Sequence, residues 1–344
     1  MSNAFTDLLA EKGTLLADGA TGTNLFNMGL MSGDAPELWN TDEPAKITKL
    51  YRFAVDSGSD LFLTNSFGAN AARLKLHDAQ NRVHELSRVS AELAREVADT
   101  AERKVIVAGS VGPTGEIMEP VGTLSHSLAV EMFHETADGL KTGGADIGWL
   151  ETISAPEEYR AAAEGFQLAG LPWCGTMSFD TAGRTMMGLT SEGMVDLVHG
   201  LDNMPLAYGA NCGTGASDLL RTVLGFAAKN GTLPIISKGN AGIPKYVEGH
   251  IHYDGTPELM ARYAVWPATQ AQASSAAAVA PCPSIWSPCV KRSTAPKKAR
   301  PPRWSRSAKR LAISLPKAMA PMAKARRARR AADVAGAEAQ NKLN

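Results

Sequence analysis

The sequence predicts an α/β fold: a (β/α)8 TIM-type barrel lacking its eighth strand, with a disordered basic C-terminal tail. Three observations carry this. Seven short apolar runs that end in polar or glycine residues alternate with longer stretches of helical periodicity over residues 14–239. The composition changes abruptly after Val265. The 344 residues, 44% of them hydrophobic, are enough for one large barrel or two ordinary domains.

The apolar runs are residues 14–18, 60–67, 104–113, 145–153, 172–179, 206–212 and 234–239. Short buried strands separated by helices imply a parallel sheet. Of the intervening segments, residues 44–57 set Ile47, Leu50, Tyr51 and Ala54 on one helical face, and residues 79–102 do the same with Val83, Leu86, Val89 and Leu93. Residues 125–143 and 191–200 have the same character. A last helix over 258–265, with Leu259 and Tyr263 on one face, stands where the eighth strand should follow. Seven strands are one short of a closed barrel.

Beyond Val265 come Trp266-Pro267, an Ala/Ser/Gln stretch and a Lys/Arg/Ala/Pro-rich segment. No acidic residue falls between Glu258 and Asp333, although the formal net charge of the whole chain is zero. The first part is therefore acidic and the tail basic. Such a tail buries no core and is expected to be mostly disordered, with transient helix over 318–344. The expected domains are thus 1–265, an incomplete barrel, and 266–344, a basic tail.

No apolar run approaches the ~18–20 residues of a membrane span, and the first residues lack a signal peptide's apolar core. The four cysteines, Cys174, Cys212, Cys282 and Cys289, make no disulfide framework. A cytoplasmic protein with no membrane partner is expected. The neutral net charge argues against nucleic acid, although a basic tail holding Trp266, Trp286 and Trp304 also suits a nucleic-acid-binding arm.

The strand ends carry polar residues: Asp18 and Gly19, Asn65 and Ser66, Ser110 and Gly112, Glu151 and Thr152, Ser178, Asn211 and Cys212, then Lys238 to Asn240. In a barrel these positions converge at the C-terminal mouth, where active sites sit. One polar strand end is usually a cap; a series over seven strands points to a site. Cys212, followed by Gly213 and Gly215, is open to close approach by backbone or metal, though a lone cysteine is more often a small buried residue. Cys174 lies mid-strand and reads as core.

Five motifs together resemble the homocysteine S-methyltransferase family. They are Ala17-Asp18-Gly19-Ala20-Thr21-Gly22-Thr23, Leu63-Thr64-Asn65-Ser66-Phe67-Gly68-Ala69, Gly109-Ser110-Val111-Gly112-Pro113, Leu150-Glu151-Thr152-Ile153 and Gly209-Ala210-Asn211-Cys212-Gly213. The family includes betaine-dependent and S-methylmethionine-dependent enzymes and the first domain of cobalamin-dependent methionine synthase. The resemblance implies methyl transfer to the sulfur of homocysteine, forming methionine, with Zn²⁺ as cofactor. The thiolate is the nucleophile, and an unperturbed thiol with a pKa of ~8.5 is mostly protonated at neutral pH. Zinc held by three cysteine thiolates, with one position left for substrate, deprotonates the homocysteine sulfur.

Carried over by motif, the resemblance makes Cys212 the first zinc ligand and Glu151 the carboxylate that receives the amino group of homocysteine. Asp18 and Gly19 would line the substrate pocket. Asn65, Ser110 and Asn211 would orient substrate or ligands, with a strand-end cap equally open for Asn65 and Ser110. The methyl donor would be betaine or a methylated corrinoid protein. Phe67 is followed by Gly68 rather than by the second aromatic that suits a quaternary ammonium, and residues 64–69 look closer to methionine synthase. Trp39 could serve a betaine cage or simply pack.

The chain departs from the family pattern at the other two zinc ligands, which form a Cys-Cys pair ending strand eight. No Cys-Cys occurs here. Under one possible coding of the family-like string Ile-Ile-Gly-Gly-Cys-Cys-Gly-Thr-Met-Pro-Glu-His-Leu, reading one base later gives Ser-Ser-Ala-Ala-Ala-Val-Ala-Pro-Cys-Pro-Ser-Ile-Trp. Residues 274–286 read the same. This points to a frameshift near residues 265–266. If the tail is the real protein, a non-catalytic homocysteine-binding form, or an inactive truncated one, is the alternative to an enzyme.

Overall fold

The structure is a computed structural model, and it describes residues 3–19, 21–180, 182–213, 215–229, 231–240, 245–247, 250–252, 260 and 278–281. The chain divides into two units, Met1–Ala295 and Pro296–Asn344, the second of which lies outside the described residues. The first unit holds a barrel of parallel strands wrapped by helices.

In chain order the strands are β1 (Thr14–Ala17), β2 (Leu61–Leu63), β3 (Ile106–Val111), β4 (Ile147–Ile153), β5 (Trp173–Met177), β6 (Tyr208–Cys212) and β7 (Ile235–Gly239). A two-stranded antiparallel hairpin, β8 (Lys245–Val247) with β9 (His250–His252), follows β7. The last strand, β10 (Ala278–Pro281), lies between β7 and β1 and closes the barrel.

The barrel class is as expected from the sequence; the missing eighth strand is corrected. β10 pairs Thr14 with Ala278 and Ala17 with Pro281 on one side, and Val279 with Ile236 on the other. It lies past Val265 and inside the stretch 274–286. Facing rows of unpaired N–H and C=O groups on β1 and β7 can be satisfied by the backbone of any short extended segment. Sequence pattern hid it, because Ala-Val-Ala-Pro has one β-branched residue and alanine is a poor strand former. The expected helix over 258–265, apart from Met260, and the expected disorder of the tail, apart from β10, lie outside the described residues.

The flanking helices follow their apolar faces. Pro44–Asp56 buries Ile47, Leu50, Tyr51 and Ala54 as read. The next long helix is Val83–Asp99, and its buried face runs through Ser87, Ser90, Ala91 and Ala94, leaving Val89 and Leu93 half-buried. The turn of the face has a local cause. The neighbouring helix, His126–Thr142, and its cap bring Gly139 and Gly143 against this one, where an added Cβ would stand 2.7 Å from the His84 carbonyl oxygen and 2.2 Å from that of Arg88. Only small residues fit so close a crossing.

The first helix, Ala4–Lys12, is capped by a reciprocal pair, Asn3 and Thr6, and stops at Gly13 with φ 72°. Its Phe5, Leu8 and Leu9 join Leu15, Leu61, Ile106, Ile147, Trp149, Cys174 and Ile236 in the barrel interior. Cys174 is fully buried there, in keeping with a core role.

Candidate active site

Side chains alternate across a strand, so the interior residues of each strand recur every second position. Ile106 and Ala108 lead to Ser110, Ile147 and Trp149 to Glu151, Cys174 to Thr176, and Ile236 to Lys238. Ala207 leads through Gly209 to Asn211. An apolar interior topped by the fully buried Trp149 thus gives way, one residue pair higher, to a polar layer. Asp18 joins that layer as the first residue beyond β1.

Two carboxylates and one ammonium define the charge of the layer. The Ser110 hydroxyl donates to Glu151 Oε1 at 2.7 Å. Lys238 Nζ stands 3.9 Å from Glu151 Oε2 and 3.6 Å from Asp18 Oδ1. The Leu63 N–H donates to Asp18 Oδ2 at 3.0 Å, while Asp18 Oδ1 is buried without a hydrogen-bond partner. Burial, reinforced by Glu151, pushes the Asp18 carboxyl up to about 6 against the opposing pull of Lys238. Burial works against the Lys238 ammonium, but Asp18, Glu151 and Cys212 outweigh it and its pKa rises.

Cys212 is fixed by its neighbour. Asn211 Oδ1 accepts from the Thr152 N–H at 2.8 Å and from the Thr176 hydroxyl at 2.7 Å. Its Nδ2 donates to Thr152 Oγ1 at 2.8 Å and to Cys212 Sγ at 3.2 Å. Thr152 and Cys212 both adopt left-handed backbone, with φ 66° and 57°. Non-glycine residues there cost of order 1–3 kcal/mol each, so the surrounding bonds must hold them. The Asn211 side chain is that bracket, joining the ends of β4, β5 and β6. Burial, with Glu151 next, raises the Cys212 thiol.

The structure therefore gathers Asp18, Ser110, Glu151, Asn211 and Cys212 in one layer, with Gly19 adjoining Asp18 in the chain. Asn65 is engaged elsewhere: its Nδ2 donates to the Pro36 carbonyl at 2.8 Å and to Asn40 Oδ1 at 2.9 Å. Its neighbours brace Ser110 instead, since Ser110 N donates to Thr64 Oγ1 and Ser66 Oγ donates to the Ser110 carbonyl. Trp39 is half-buried with Lys46 Nζ 4.2 Å above its ring, and Arg73 lies 5.4 Å over Phe67. Lys238 and Thr176 were not singled out from the sequence as site residues. The two-residue period from Ile236 to Lys238, parallel to that from Trp149 to Glu151, is the signal that finds Lys238.

A three-thiolate zinc centre does not fit the described residues. Cys212 is the one thiol of the layer among them, and no group of three or more His, Cys, Asp or Glu there could hold a metal ion. Among the described residues, Cys212 Sγ meets an amide donor, a hydroxyl and the opposing fields of Glu151 and Lys238. Cys282 and Cys289 lie outside the described residues. None of the described helices is long and apolar enough to cross a membrane.

The comparisons agree with this architecture. Methionine synthase of Mycobacterium tuberculosis is 27% identical over 272 residues, covering 74% of this chain and 22% of that protein. Methionine synthase of Mycobacterium leprae is 28% identical over 275 residues, with the same shares. The chain thus spans about a fifth of the length of these curated relatives. Among solved structures, the metallated form of the Escherichia coli homocysteine methyltransferase MmuM superposes with a TM-score of 0.66 at 22% identity, covering 84% of this chain and all of that one. Its oxidised form gives 0.65 at 23% identity, covering 85% and 99%. These two likenesses concern the fold. The homocysteine S-methyltransferase family model matches residues 15–282, most of the chain, and on that match this chain belongs to the homocysteine S-methyltransferase family.

Proposed function

We propose that this chain binds homocysteine at the barrel mouth and supports transfer of a methyl group to its sulfur, forming methionine. The observation that carries the reading is the layer formed by Asp18, Glu151 and Lys238 beside Cys212, in a barrel of this family. Glu151 and Asp18 receive the α-amino group: Asp18 Oδ1 is buried and makes no hydrogen bond among the described residues, and a substrate ammonium would supply one. Ser110 holds Glu151 and Asn211 holds Cys212, while Gly19, next to Asp18, would line the substrate pocket as the family resemblance implies. Asn65 acts by bracing the loop after β2. We assign this chemistry to residues 1–265; of residues 266–344, the described part is the closing strand Ala278–Pro281.

In the transfer, a sulfur lone pair forms the new C–S bond as the donor's bond to the methyl breaks, and the thiol proton leaves to solvent. The family's means of making the thiolate is zinc, and the described residues do not complete its site. Slow turnover with weak zinc retention is the expected outcome, since an unassisted thiol of pKa ~8.5 is a few per cent ionised at neutral pH. Betaine and a methylated corrinoid protein remain the donors, with residues 64–69 and the methionine synthase relatives favouring the corrinoid. A cytoplasmic location belongs to this proposal.

A second reading, homocysteine binding without turnover, is favoured by the single thiol of the described site. Incubation with homocysteine and, in turn, betaine, S-methylmethionine and a methylated corrinoid protein separates the two. Methionine formation supports the first. Thermal stabilisation by homocysteine with no methionine supports the second. Neither stabilisation nor product overturns both.

A further inference from the structure

Lys238 belongs to the charged layer but contacts no substrate group in the chemistry outlined above, although its ammonium faces both carboxylates of the site. It projects from β7 two residues above the interior Ile236, into the same layer as Ser110, Glu151 and Asn211. Its Nζ stands 3.6 and 3.9 Å from the nearest carboxylate oxygens. Both ion pairs are longer than a charge-assisted hydrogen bond of about 2.7–2.9 Å, which leaves the ammonium able to meet a further anionic group. Asp18 Oδ1, its nearer neighbour, is buried and, apart from this ion pair, has no hydrogen bond among the described residues. An unmade bond on a buried carboxylate costs free energy that a ligand can recover.

We infer that Lys238 reads the α-carboxylate of the amino-acid substrate, while Asp18 and Glu151 take its α-ammonium. This rests on the proposed homocysteine site and deepens it. A zwitterion would meet the alternating charges of the layer: its ammonium supplies Asp18 Oδ1, and its carboxylate turns to the ammonium already between the acids. The residue is then a specificity determinant for α-amino acids against simple aminothiols. A purely structural lysine, there only to neutralise Asp18 and Glu151, would affect both ligand types alike.

The test compares homocysteine with homocysteamine, its analogue without the carboxylate, by calorimetric titration of the full chain. The wild-type protein is expected to prefer homocysteine by tenfold or more. Lys238→Met is expected to bring the preference close to one by weakening homocysteine alone, and Lys238→Arg to keep part of it. Equal losses for both ligands in Lys238→Met, or an unchanged preference, would overturn the assignment while leaving the homocysteine reading intact. A wild-type preference near one overturns it without need of any variant, which keeps the test decisive if Lys238→Met does not fold. Failure of the wild-type chain to bind homocysteine at all overturns the functional reading and this inference together.

Discussion

Asn211→Ala removes the side chain that joins three strand ends and the Cys212 thiol. Asn211 is 2% exposed and makes four side-chain hydrogen bonds, two as acceptor and two as donor. At roughly 1 kcal/mol net for each bond, less for the one to sulfur, the loss is about 3 kcal/mol. For a domain of this size that corresponds to a fall of roughly 6–12 °C in unfolding midpoint. Freed of its bracket, Thr152 would leave the left-handed region and carry Glu151 with it, so homocysteine binding should weaken beyond the stability effect. The assay is urea unfolding followed by circular dichroism, with Thr176→Val and the double variant completing a cycle. Because Thr176 donates to Asn211, the cycle should show coupling of about 0.5 kcal/mol or more. A loss below about 1 kcal/mol, or simple additivity, would refute the bracket.

Asp18 gives a pH dependence. Its carboxyl is raised from 3.8 to about 6 in the folded protein, so the native state holds the proton more tightly than the unfolded one. Its contribution to stability is greatest below the unfolded value and is lost as pH rises to about 6, by about 3 kcal/mol. Urea midpoints measured between these limits should flatten in Asp18→Asn. Homocysteine affinity should run the other way, rising through about pH 6 as Asp18 ionises, which calorimetry at several pH values checks. Gly209→Ala should fail to give soluble protein or should melt far lower, because the added Cβ would stand 1.9 Å from the Ile236 carbonyl oxygen on the paired strand. Zinc measured by elemental analysis of the purified chain should fall well below one per chain; a value near one would contradict the misfit of the metal site.

The barrel was legible where burial and period agree. The seven apolar runs correspond to β1 to β7 with small shifts at the ends; the second shrinks to Leu61–Leu63 because Thr64 and Ser66 turn to bond Ser110. β10 was not legible, since backbone pairing placed it and its side chains carry little strand preference. In the site, Glu151 and Cys212 stood out by motif, whereas Lys238 reads as an ordinary strand-end lysine until its period with Ile236 is counted. The roles of Thr152 and Thr176 depend on an amide reaching across strands, and no local sequence pattern encodes that. Asn65 looked like its neighbours in sequence, yet its amide is taken up by Pro36 and Asn40.

On the proposed function, the chain binds homocysteine without the Cys-Cys pair of the family pattern, which its sequence lacks. The most direct measurement is methionine formation from homocysteine, per bound homocysteine, by the chain as it stands and by a chain with the Gly-Gly-Cys-Cys-Gly-Thr frame restored from about residue 265. Both chains are expected to bind homocysteine with similar affinity, and restoration is expected to raise turnover by orders of magnitude together with zinc content. Equal turnover of the two chains, or homocysteine binding only after restoration, would contradict it.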